Sequence, residues 1–141
     1  QKELAARLGV EDRVKLRFGW VAESDVGRLL EAADLVVLPY RRGSQSAVAP
    51  LAMAHGVPVL TTNVGGLAEA VLDGVSGRVV APGLPAALRG ALEELDAGRL
   101  GAMGRQAEEA SRGVTWCGYA AAMESLLLRL VVGPSGDRAG A

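Results

Sequence analysis

Two uncharged runs, Leu35-Val36-Val37-Leu38-Pro39-Tyr40 and Val57-Pro58-Val59-Leu60-Thr61-Thr62, constrain this chain more than any other feature. The first shows no period-two alternation, so both of its faces must be covered, the condition of a strand in a parallel sheet. Pro58 stands near the start of the second, where it removes only an early ladder donor. Stretches with helical spacing lie around these runs. Val26, Leu29, Leu30 and Ala33 fall at i, i+3, i+4 and i+7 behind a Ser24 or Asp25 cap. A helix over 47–55, ended by Gly56, separates the two runs, and a short helix over 67–72 follows the second. Gly77-Arg78-Val79-Val80-Ala81-Pro82 reads as a last short strand. Upstream, Val14, Leu16, Phe18 and Trp20 alternate with Lys15 and Arg17, which predicts a strand over 14–21 with one half-exposed face.

The order is βαβαβαβ followed by helices. It predicts an α/β fold: a Rossmann-like parallel sheet with helices on both faces. Pro85 opens the first closing helix, whose Leu88, Ala91, Leu92 and Leu95 form a stripe. A more polar helix over 99–112 is next. In the last helix Tyr119, Met123, Leu126, Leu127 and Leu130 share a side and are most simply core. One domain is expected over 1–132, with a disordered Gly- and Ser-rich tail over 133–141. The chain opens on Gln1 inside a helix that Gly9 closes as its C′ residue, which suggests a chain cut from a longer one.

Composition removes several functions. Fifteen basic and 16 acidic residues leave a net charge of −1, with no basic patch for nucleic acid. One Cys and one His build neither a disulfide nor a zinc site, and nothing calls for a metal or a cofactor. The absence of a disulfide fits a cytoplasmic location. No apolar run is long enough to span a bilayer. The three spaced glycines of a dinucleotide fingerprint are missing.

In such a sheet ligands bind beyond the carboxyl ends of the strands. Two loops fall there, 40–46 and 63–66. In the first, Gly43-Ser44-Gln45-Ser46-Ala47 runs into a helix start, where free N–H groups and the helix dipole favour phosphate. Arg41 and Arg42 add positive charge. The plainer reading makes Ser44 or Ser46 an N-cap and leaves the arginines solvated. In the second loop Gly65-Gly66 permits either close approach to a ligand or a tight turn. Glu69 beside it suits a sugar contact or a capping role. His55 reads as a helix-end cation before a general base, and Cys117 as a small buried residue before a nucleophile.

Three stretches together resemble the donor-binding domain of family-4 (group 1) glycosyltransferases: Ala33-Asp34-Leu35-Val36-Val37-Leu38-Pro39-Tyr40, then residues 44–60, then Val64-Gly65-Gly66-Leu67-Ala68-Glu69-Ala70-Val71. Phe18-Gly19-Trp20-Val21 resembles the strand end before the helix over the nucleotide base. Asp73-Gly74 and the strand after it resemble the family's turn, and Trp116 resembles the tryptophan that opens its last helix. The resemblance runs from residue 10 to about 131 and implies the C-terminal half of a GT-B fold, truncated at its N-terminus. It implies transfer from a nucleotide-diphosphate-sugar donor with retention. Ser44, Gln45, Ser46 and Ala47 would meet the diphosphate. Trp20 and Val21 would lie near the base. Gly65, Gly66 and Glu69 would lie near the sugar. In that architecture the final helix can cross to the other domain, leaving part of its stripe exposed here.

The chain departs from the family in two ways. Gly43 and Leu51 occupy the places of the family's paired glutamates, as in a Ser-Gln-Ser variant. The acceptor domain and the family's Arg/Lys pair would precede Gln1, so the chain alone is expected not to turn over, and peripheral membrane contact would pass through that missing domain. No catalytic residue is assigned. A non-catalytic binding or scaffolding module on the same fold is the alternative, and a nucleotide-sugar epimerase fits less well because the cleft holds few acidic residues.

Overall fold

A computed structural model describes residues 2–113 and 115–131. Three parallel strands, β1 (Val36–Leu38), β2 (Val59–Thr62) and β3 (Gly77–Val80), lie in that order. Val36, Val37 and Leu38 pair with Val59, Leu60 and Thr61, and β2 pairs along its length with β3. Around them lie α1 (Lys2–Leu8), α2 (Glu23–Glu31), α3 (Val48–Ala54), α4 (Pro85–Glu93), α5 (Ala97–Arg112) and α6 (Trp116–Val131). Residues 133–141, read as a disordered tail, lie outside the described residues.

Strand alternation splits the core in two. Val59 joins Leu38, Ala49, Met53, Val57 and Ala107 on one face, under α2, α3 and α5. Its neighbour Leu60 points the other way, onto Val80 and the Ala91 of α4. Helices therefore cover both faces at β2, where all four residues are buried. Ala91 and Leu88 come from the expected stripe of α4, joined by Ala87, while Leu92 is exposed. On the first face α5 crosses against the end of α3 because both residues at the crossing are glycines. A Cβ on Gly104 would run into the Gly56 carbonyl oxygen. Gly9 closes α1 at φ +62, with Val10 N–H donating to Ala5 O at 3.1 Å, the left-handed cap its sequence suggests.

Several expectations are corrected. Residues 14–21 form no strand. Gly19 takes φ +98, which breaks the pleat, and the segment pairs with none of the three strands. Side chains hold it instead: Arg17 lies 3.5 Å from Asp25, and Lys2 stands over the Phe18 ring. The sheet so has three described strands rather than four. β1 is one of its two edges, and Val37 is 40% exposed rather than covered. Neither Ser24 nor Asp25 caps α2, whose N-cap is Ala22 without a side-chain bond. The turn after β2 is a 3-10 helix (Gly65–Ala70) that begins at the glycine pair, not an α-helix over 67–72.

The largest correction is α6. Met123, Leu126, Leu127 and Leu130 are exposed rather than core, and Cys117 is exposed rather than buried. No described element packs extensively over this helix, so its leucines stay in solvent. No helix among the described residues is long and apolar enough to cross a membrane.

Candidate functional site

The two loops at the carboxyl ends of β1 and β2 are in direct contact. Thr62 Oγ1, at the end of β2, donates to Tyr40 O at 2.6 Å and so ties the exit of β1 to that of β2. Gly66 N–H donates to Ser44 O at 2.6 Å, joining the second loop to the first. Asn63 N–H donates to Val80 O at 2.8 Å and fixes the second loop to the end of β3.

Only glycine fits where the loops meet. Gly65 has φ +50, and a Cβ there would strike the Gly43 carbonyl oxygen and come within 2.9 Å of Ser44 Cα. At Gly66 a Cβ would lie 3.1 Å from Ser44 O, 3.3 Å from Gln45 Cγ and 3.5 Å from Glu69 Oε2. Beneath them Leu67 is buried, and its Cδ1 would lie 3.4 Å from a Cβ on Gly43. Gly43, Ser44, Gln45, Gly65, Gly66 and Glu69, singled out separately in the sequence, form one surface.

The N-cap of α3 is Ala47 without a side-chain bond, not Ser44 or Ser46, although Ser46 Oγ, one residue earlier, accepts from Val48 N–H at 3.2 Å. The N–H groups of Ser44, Gln45, Ser46 and Ala47 make no hydrogen bond among the described residues, and Gln45 and Ala47 are exposed. Pro50 lies in the first turn, where its missing N–H costs little. Arg41 and Arg42 are exposed and enter none of the described ion pairs. Free amides, unpaired guanidiniums and a single carboxylate, Glu69, suit an anion with hydroxyls beside it. Glu69 makes no hydrogen bond among the described residues, so its capping reading finds no support.

The structure does not bring every expected residue to this surface. Trp20 is 94% exposed in the unpaired segment before α2, and Val21 is half-buried there. Nothing in the fold packs the indole against the two loops. His55 follows α3 as its C-cap, with its ring against Gly27 of α2. Leu51 is exposed on α3. The part of Thr62 was missed, because its partner Tyr40 lies 22 positions away and no local pattern marks the bond. Two clefts of about 340 and 380 Å³ lie at the other end of the sheet, toward the strands' amino ends. No cluster of metal-ligating side chains occurs among the described residues.

The family profile described as Glycosyl transferases group 1 matches residues 1–97. A D-inositol 3-phosphate glycosyltransferase of Salinispora tropica is 41% identical over 116 residues, covering 81% of this chain and 24% of that protein. The chain spans about a quarter of the length of that relative. Among solved structures, a sucrose-phosphate synthase from Thermosynechococcus elongatus superposes with a TM-score of 0.79 at 27% identity, over 93% of this chain and 33% of that one. Anabaena Alr3699/HepE, solved in complex with UDP-glucose, superposes with a TM-score of 0.75 at 29% identity, over 89% and 36%.

Proposed function

The chain belongs to the group 1 glycosyl transferases, and from that membership we propose that it is the donor-binding half of a retaining GT-B glycosyltransferase. Its ligand is a nucleotide-diphosphate sugar. The sugar passes to an acceptor held by a domain outside this chain, and the anomeric configuration is kept. One observation carries the reading. The free amides of Ser44, Gln45, Ser46 and Ala47 and the glycine pair form one surface at the carboxyl ends of the strands, tied by the Gly66 N–H to Ser44 O bond. The UDP-glucose complex of Alr3699/HepE supports the choice of ligand.

In this reading the diphosphate lies over the start of α3. The backbone N–H groups of 44–47, the Ser44 hydroxyl and the Gln45 amide donate to it, and Arg41 and Arg42 lower its charge. As the bond from sugar to phosphate breaks, negative charge grows on the leaving phosphate. Donors already in place stabilise that charge without reorganising. The sugar lies beside Gly65 and Gly66, where no Cβ intrudes, with Glu69 as an acceptor for its hydroxyls. Trp20 and Val21 reach the base only if the segment before α2 folds toward the loops.

Calorimetry with UDP, GDP and ADP tests this. Millimolar or tighter binding of at least one is expected, about −4 kcal/mol or better. That heat should vanish in a Gln45→Glu, Ser46→Glu double variant, whose carboxylates repel the diphosphate. No heat beyond dilution from any of the three overturns the reading. A second reading, a binding module without catalysis, draws on Gly43 and Leu51, which leave Glu69 as the surface's one carboxylate. Sugar transfer by the longer protein containing this chain would eliminate it.

A further inference from the structure

We propose that a second ligand site, for a small oxyanion, lies at the amino end of the sheet between the turn before β3 and one face of α5. A cleft of about 340 Å³ opens there, the size of a small-ligand pocket. Arg99, Met103 and Gln106 of α5 fall at i, i+4 and i+7, so they share the helix face that lines it. Opposite them are Val75 and Arg78.

The two guanidiniums are held from behind. Arg78 Nη1 donates to Glu94 Oε2 at 2.8 Å, and Arg99 Nη1 donates to Glu94 O at 3.1 Å, so one residue steadies both. Arg78 Nε is buried without a hydrogen bond, 3.3 Å from Asp73 Oδ1. Arg78 Nη2, Arg99 Nε and Nη2, and the Gln106 amide have no partner among the described residues.

Three carboxylates flank the site. Asp96 is engaged by the Arg99 backbone N–H. The Asp73 and Glu94 side chains are 57% and 53% exposed, so water screens much of their field. The Arg78 side chain is only 25% exposed. Arg78 Nη2 and the free nitrogens of the exposed Arg99 can donate to a carboxylate or a phosphate. Val75 and Met103 add an apolar wall for a short chain attached to it. The cleft lies at the opposite end of the strands from 40–46 and 63–66, so it does not depend on the donor-site reading.

Amide chemical shifts of the labelled chain, followed at fixed pH and ionic strength, provide the test. The probes are inorganic phosphate and butyrate. Saturable shifts at Gly74, Gly77 and Met103 are expected from at least one, with a millimolar dissociation constant. Saturation by phosphate alone assigns a phosphate ester, and by butyrate alone a carboxylate. Arg99→Gln should weaken binding about tenfold, the loss of one charged hydrogen bond. Arg105→Gln, on another face of α5, should leave it unchanged. Ala102→Glu, which sets a carboxylate in the cleft, should abolish it. Linear shifts up to high concentration, shifts confined to Gly65 and Gly66, or saturation unaltered by both Arg99→Gln and Ala102→Glu would overturn the site.

Discussion

The two ends of this sheet are built from different materials. At the carboxyl end, backbone meets backbone: Gly65 presses on Gly43, and Gly66 N–H is bonded to Ser44 O. At the amino end, long side chains meet: Arg78 reaches Asp73 and Glu94, and Arg99 reaches the Glu94 carbonyl. Backbone contacts leave no slack, because a methyl group has nowhere to go. Ion pairs between half-exposed side chains can rearrange, and solvent replaces what they lose. The contrast teaches where to expect sensitivity. The carboxyl-end loops should be intolerant of the smallest change. At the amino end the same holds at Gly77 and Gly104, where a Cβ would strike the Val59 and Gly56 carbonyl oxygens, while the ion pairs around Arg78 should tolerate large changes.

Four substitutions sharpen or break the contrast. Gly65→Ala should have the largest effect. It forces an L residue to φ +50 and a Cβ into two carbonyl oxygens, so a loss of about 3 kcal/mol or more is expected in urea unfolding. Nucleoside diphosphate binding should go with it. Thr62→Val removes the 2.6 Å bond to Tyr40 O and should cost about 1–3 kcal/mol, with weaker binding because the loops separate. Thr61→Val should act in the opposite direction. Thr61 is fully buried and its hydroxyl has no partner, so the apolar isostere should raise stability by about 1 kcal/mol. Glu94→Gln should move stability least, by less than about 1 kcal/mol, since its pair with Arg78 is half solvated. If it cost as much as Gly65→Ala, the contrast between the ends would fail.

The same contrast explains what could be read in the sequence. Covered strands announce themselves by unbroken apolar runs, and β1, β2 and the helix between them fall where those runs place them. The loops were legible because glycine pairs and small polar residues are used for few other purposes. The period-two pattern of 14–21 misled, because pairing depends on a neighbouring strand, which lies outside the segment's own residues. Gly19, inside that run, was the local warning. The leucines of α6 misled for the same reason. A stripe shows that a helix has an apolar side but not what covers it. Thr62 shows the reverse failure, since its bond to Tyr40 spans 22 positions and no local pattern marks it.

The brevity of β1 has a consequence for how the molecule behaves in a crowd. Val36 N–H is bonded to Pro58 O, across toward β2, so along this three-residue strand only the Val37 amide and carbonyl face away from the sheet. One residue's worth of unmet groups is a poor template for growth. Copies brought together at high concentration should not extend the sheet sideways from this edge.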